Sequence, residues 1–245
     1  MAITVVGRGA STNPGFAGED ITMVPSSNCT GKMGVFCIAY DNAGTNGADP
    51  YVSISDSNSN TWTARVNVLR DPGSISDGIV VRIFTTAFNG GLLTTSDQIT
   101  VDVNNTMGAF ATSLYDVNGD SLSYVTGATT SGASTSGTIT SSSIPDTDLI
   151  IGVTGIEQDD AITADSDTTN GSWANTQTAA DTFTGINTNA ISISTQTKIV
   201  NADGAQTYNT SWATSCDYGL AWIQIHDTPS ASSIDPFGTL GIFGI

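Results

Sequence analysis

Basic residues are scarce in this chain. Six Lys and Arg stand against 23 Asp and Glu, a formal charge of −17. Such a field repels phosphate backbones and anionic lipid surfaces, so neither nucleic acid nor membrane is expected as a partner. Charge of either sign is thin, at 12% of the 245 residues, about half the usual share of roughly 25%. Cysteine is limited to Cys29, Cys37 and Cys216. An odd, irregularly spaced set is no disulfide framework, and without a CxxC pair a zinc site is not expected. Cys37 lies in the apolar run Val35–Ala39 and reads as a small buried hydrophobe; a Cys29–Cys37 bridge stays open as an alternative. No apolar run approaches the ~18 residues of a membrane span. The opening Met1-Ala2-Ile3-Thr4-Val5-Val6 lacks the basic region and long apolar stretch of a signal peptide.

The residues of common catalytic machinery are few as well. His226, beside Asp227, is the one histidine, which excludes His-rich metal hydrolases. No GxSxG elbow accompanies it. Glu occurs only at Glu19 and Glu157, so paired carboxylates for glycoside hydrolysis would have to come from Asp. No phosphate-cradling Gly loop occurs, and strands do not alternate with helices as a dinucleotide-binding unit requires. The expectation is a protein without catalytic residues and without a cofactor.

Ser, Thr, Asn and Gly fill the place of the missing charge, and strand signals dominate. Tyr51–Ser55, Trp62–Val68, Ile79–Phe84 and Gln98–Val103 alternate with period two, and Val35–Tyr40 and Phe110–Val117 are short apolar runs. Turns rich in Asp, Asn, Gly and Pro separate them, the signature of a sandwich or barrel. Residues Thr126 to Ser143 are almost wholly Thr, Ser, Gly and Ala; they read as a connector or a poorly buried edge strand. Then the pattern restarts. Asp148–Val153 echoes Met33–Tyr40, Ile162–Trp173 echoes Ile54–Trp62, Ala190–Val200 echoes Gly78–Ala87, and Gly219–Ile225 echoes Gly108–Val117. Internal repetition fixes architecture. The prediction is an all-β, jelly-roll-like β-sandwich over residues 1–227, built from two pseudo-repeated halves at about 30–125 and 145–226. Each half alone is small enough to be marginally stable, which favours one shared core over two separate domains.

Three features are candidate sites. In each repeat an Asp-Ser loop ends in Trp: Asp56 precedes Trp62 and Asp165 precedes Trp173. Asp accepts backbone N–H bonds two residues on, so the loop reads as a structural corner pinned by a core Trp. The alternative is that Trp62 and Trp173 are stacking faces for a glycan. Asp116-Val117-Asn118-Gly119-Asp120 sets oxygens at alternate positions like the start of a calcium loop, but no closing Glu follows. Asp116, Asn118 and Asp120 are therefore weak calcium candidates, and Asp159, Asp160, Asp165 and Asp167 form a second acidic group. Finally, residues 228–245 form an apolar tail, whose Phe237, Leu240, Ile242, Phe243 and Ile245 pack on their own domain or dock on a neighbouring subunit.

The runs Val35–Asn42, Val52–Trp62, Asp165–Trp173 and Gly219–Ile223 resemble a loose group of β-sandwich structural proteins from tailed bacteriophages. The resemblance covers roughly residues 30 to 226, and its motifs are of low specificity. It carries no catalytic residues to transfer. It implies a virion component on the particle exterior: a capsid decoration (cement) protein that contacts the major capsid protein or neighbouring copies of itself, as a homo-oligomer such as a trimer. A tail fibre or receptor-binding module with carbohydrate affinity is the second reading.

Overall fold

A computed structural model describes residues 2–12, 20–41, 49–72, 78–103, 109–184 and 188–229. Among them are thirteen strands and no helix. The first half holds β1 (Thr4–Ser11), β2 (Ile21–Met23), β3 (Met33–Asp41), β4 (Tyr51–Asp56), β5 (Thr63–Arg70), β6 (Ile79–Thr86), β7 (Ile99–Val103) and β8 (Phe110–Asn118). The second holds β9 (Leu122–Ile144), β10 (Leu149–Ile156), β11 (Trp173–Thr184), β12 (Thr188–Ile199) and β13 (Gly204–Asp227). The expected all-β sandwich of two repeated halves is what the structure shows.

Each half builds one five-stranded sheet, and the two sheets have the same order. The first runs β1-β8-β3-β6-β5 and the second β9-β13-β10-β12-β11, with every neighbouring pair antiparallel. The repeat extends to register. Met33 lies opposite Val117 as Leu149 lies opposite Ile225, and Ala39 lies opposite Val81 as Gly155 lies opposite Ile193. A small third sheet, β2-β7-β4, belongs to the first half. The second half keeps a trace of its β4–β7 pairing in one bridge, Thr163 to Ser211. There the counterparts of β7 and β8 are fused into the single 24-residue β13.

Three dry layers follow from this order. The two large sheets pack face to face through Val35, Cys37, Ala39, Val81 and Ile83 on one side and Leu149, Ile151, Val153, Ile193 and Ile223 on the other. The first sheet's outer face carries Phe36, Ile38, Tyr40, Phe84 and Leu114 and is covered by the small sheet through Ile21, Ile99 and Val101. With both faces covered, β3, β6 and most of β8 are buried along their whole length. That is why β3 and β8 read as apolar runs, whereas Ile79–Phe84, expected to alternate with one face in solvent, is instead buried on both faces. The second sheet's outer face carries Ile150, Ile156, Leu220 and Trp222. It is covered by the ribbon that the end of β9 makes with the start of β13, through Ile139, Ile144, Tyr208 and Trp212.

Small residues set the spacing of these layers. A Cβ on Gly155 would meet Ala39 Cβ and Val81 Cγ2 at 2.7 Å, and one on Gly152 would meet the Tyr208 ring at 2.8 Å. Polar groups close one margin of the central seam. Ser113 and Tyr115 hydroxyls of β8 bond Thr195 Oγ1 of β12 at 2.8 and 2.9 Å. Gln177 of β11 donates to Ser113 Oγ at 2.9 Å and accepts from Gly9 N of β1 at 2.8 Å. The network crosses from one half to the other and uses polar atoms that would otherwise be stranded.

Several expectations are refined here. The Ser/Thr-rich stretch is an edge strand, β9, and not a loose connector. The residues before the first repeat, outside the resemblance, supply β1 and β2. Cys29 and Cys37 are free thiols, because they pack into cores on opposite faces of the first sheet. Burial pushes Cys29 up to about 12, with Asp116 adding to the rise and Arg8 opposing it. Burial likewise pushes Cys37 well above the ordinary thiol value.

Two predictions follow. Replacing Gly155 by Val drives methyl groups into Ala39 and Val81 and should cost about 3 kcal/mol by overpacking, read as a lower urea midpoint. Asp49 pairs with Arg82 and accepts from Tyr40 Oη and Tyr51 N. Burial raises its pKa, but the Tyr51 N–H bond and the Arg82 charge outweigh burial and hold it below the ordinary value of 3.8. A depressed carboxylate stabilises the fold above its unfolded pKa and loses that contribution as pH falls through the folded one. Asp49→Asn should therefore lower stability by about 3 kcal/mol at pH 7, and the gap from wild type should narrow below pH ~4 in paired thermal melts.

Candidate functional site

The two Asp-to-Trp corners occupy matching places in the two halves, where the chain enters β5 and β11. In the first, Asp56 ends β4 and spends its whole carboxylate on the loop that follows. Oδ1 accepts Asn58 N at 2.9 Å and Asn60 N at 3.1 Å. Oδ2 accepts Asn60 Nδ2 at 3.0 Å and Trp62 Nε1 at 2.8 Å. Ser59 takes a left-handed φ of 58° to make the turn. Asn60 then ties the corner to the neighbouring loop, accepting from Gly90 N at 2.7 Å and donating to Gly91 O at 2.9 Å. The Trp62 ring meets Phe36 edge-on at 6.2 Å. Asp97 clamps the same loop: Thr94 N and Oγ1 and Asn58 Nδ2 all donate to it, and the Thr94 backbone bond above all holds its pKa low.

The second corner is built differently. Asp165 Oδ1 accepts Asp167 N at 2.7 Å, but Oδ2 accepts Asn209 N of β13 at 2.7 Å. Its backbone is held on both sides by the Gln196 amide, at 2.8 and 3.0 Å. Trp173 turns its Nε1 to Thr207 O at 3.1 Å and not to the aspartate. Its ring contacts Tyr208 at a centroid distance of 4.8 Å and the Lys198 ammonium at 5.7 Å. Lys198, whose side chain is fully buried, donates to Thr169 O at 2.7 Å and approaches Asp167 Oδ2 at 3.4 Å. The Thr169 N–H bond is the main cause of a depressed Asp167 pKa.

At the second corner the surface is open. Asp165, Asp167, Thr169, Ala205, Thr207 and Asn209 line a recess of about 310 Å³. It presents carboxylates, hydroxyls and an amide. Trp173 is only 9% exposed, so it lies beneath this surface and not on it. Trp62 is half-buried against the Phe36 core. The indoles thus occupy the positions of corner anchors.

The remaining candidates are dispersed. Asp116 sits in β8 and not in a loop. Its carboxylate receives Arg8 Nη2 at 2.5 Å, Thr30 N at 2.7 Å and Gly31 N at 2.8 Å, so it welds the N-terminal strand to the first sheet. Asn118 Oδ1 accepts Gly119 N at 3.1 Å. The Asp120 backbone N–H donates to Asp227 Oδ1 at 2.8 Å and its carbonyl accepts from Lys32. Among the described residues no three His, Cys, Asp or Glu side chains gather as a metal site. Asp160 receives Thr214 N at 2.6 Å, away from Asp165 and Asp167. Phe237, Leu240, Ile242, Phe243 and Ile245 lie outside the described residues.

One cluster escaped sequence reading. Asp148, 1% exposed, accepts from Gln224 Nε2 and pairs with His226 Nδ1 at 2.6 Å. Its partners are remote in sequence, and only the β10–β13 register brings them side by side. Among the described residues no hydroxyl or thiol is hydrogen-bonded to the imidazole. The signal missed was a lone Asp directly before an apolar strand, a position at which an unpaired carboxylate would be stranded.

Compared with known protein families, curated proteins and solved structures, the chain has no match.

The corners should differ in cost. Asp56→Ala strips four donors of their acceptor and should destabilise by about 4 kcal/mol, while Asp165→Ala strips two and should cost about 2 kcal/mol. Chemical denaturation of the two variants checks the order, which reverses if Asp165 carries the greater load.

Proposed function

We propose that this chain is a structural virion protein of a tailed bacteriophage, a capsid decoration protein acting through protein–protein contacts. The observation that carries the reading is how side-chain chemistry is used. The Asp49, Asp56, Asp97, Asp116 and Asp148 carboxylates are all committed to holding strands and loops together. Such a molecule is a rigid spacer with an acidic, hydroxyl-rich exterior. High negative charge keeps it soluble at the local concentration a particle surface imposes. The resemblance of the Asp-to-Trp runs to phage sandwich proteins supports the same class. Its partners in this reading are the major capsid protein and neighbouring copies, and the apolar residues 237–245 reach them.

The recess at the Asp165 corner favours a second reading, a tail or receptor-binding module with affinity for carbohydrate. Carboxylate and amide groups at Asp165, Asp167 and Asn209 suit sugar hydroxyls.

Deleting residues 237–245 should weaken attachment to purified shells at least tenfold in a co-sedimentation assay, with the melting temperature unchanged. Equal binding by the truncated chain removes the tail from the mechanism. A glycan array with the intact protein and Asp167→Ala separates the second reading: signal lost in a variant that melts normally supports carbohydrate recognition.

A further inference from the structure

An open sheet margin must be protected or paired, because its N–H and C=O groups form a ready template for another strand. The described margins of this molecule are protected, with one exception. β1 carries Arg8 and a register break between Gly7 and Ala10. β5 carries Arg65 and Arg70 and a break between Ala64 and Val66. β11 carries Asp181 and a break between Ala174 and Gln177. β4 carries Asp56 and a break between Tyr51 and Ser53, and β2 is three residues long. Charges, bulges and shortness are the usual ways of blunting an edge.

β9 has none of these over its middle. It is a 23-residue margin strand without one charged residue or proline. From Thr126 to Ser134 it pairs with β13 without a register break, opposite Gln224 through Cys216. β13 is the one strand bonded to it among the described residues. Thr129, Ser131 and Ala133 are exposed along it.

We propose that the free edge of β9 pairs antiparallel with the β9 edge of a second copy, centred on residues 126–134, joining two second sheets edge to edge. Charge selects this partner. With a net charge of −17, copies repel over most approaches. At β9 neither copy brings a carboxylate, so the strand itself adds no local repulsion to the contact. An antiparallel two-fold pairing makes the interface self-complementary, as a closed dimer requires. The proposal deepens the reading that this chain meets copies of itself, but it does not require a particle.

The test is sedimentation velocity of the full chain across a hundredfold concentration range. The wild type is expected to dimerise. Thr129→Glu/Ser131→Glu should raise the dissociation constant of the dimer at least tenfold with an unchanged melting temperature, since both positions are exposed. The matching Lys pair should also fail to self-associate, and a mixture of the Glu and Lys variants should restore a heterodimer. That rescue separates edge pairing from a structural effect of the substitutions. A wild type that stays monomeric throughout, or a dimer indifferent to both variants, overturns the proposal. A monomer whose Glu variant loses shell binding also overturns it, and assigns the edge to a shell strand. A β9 dimer that ignores shells upholds the pairing and defeats the virion reading instead.

Discussion

The seam between the two large sheets is the constraint on which the rest of the structure depends. Each half makes a sheet apolar on both faces, and neither can leave its inner face in water. Val35, Cys37 and Ala39 therefore meet Leu149, Ile151 and Val153. Gly155 and Gly219 bring backbone against Ala39, Val68 and Val81. Once that seam is dry, each outer face needs its own cover. The first half uses the separate small sheet, and the second folds its own ribbon of β9 and β13 over Trp222. Similar burial on both sides is thus reached by two routes from one strand order.

The corners show the same divergence at the scale of side chains. Both use an aspartate to nucleate a turn and an indole to anchor it. In the first the indole bonds back to the aspartate, and the loop closes on itself. In the second, β13 passes underneath and takes over both roles, accepting from Trp173 and donating to Asp165. Lys198 then fills the space below and supports Thr169. The open recess at Asp165 follows from that exchange of partners.

Much of this was legible in the sequence. The alternation at Gln98–Val103 and the apolar runs at Met33–Tyr40 and Asp148–Val153 mark strands that the structure contains, and the echo between the halves extends to matching register. β1 and β2 were not legible. Thr4–Ser11 has Gly7 and Gly9 inside it, and its strand character comes from pairing with β8 around the Arg8–Asp116 bond. The long β9 was ambiguous because its Ser, Thr and Gly residues lack an apolar face, and it is ordered by β13 instead. The Asp-to-Trp motif was visible at both corners, but which corner stays open depends on Gln196, Lys198 and Asn209, more than thirty residues further along the chain. The Asp148–His226 pair depends in the same way on long-range register.

A molecule whose carboxylates are spent on its own corners is suited to bearing contacts, and that suitability rests on the two halves acting as one rigid body through the seam. Hydrogen exchange in graded urea, resolved to β3 and β10, tests this most directly. Shared burial predicts that both central strands open together, at one common free energy equal to that of global unfolding. Exchange of β10 at low urea while β3 stays protected would contradict the account, because it would mean that the halves are held apart and not by one seam.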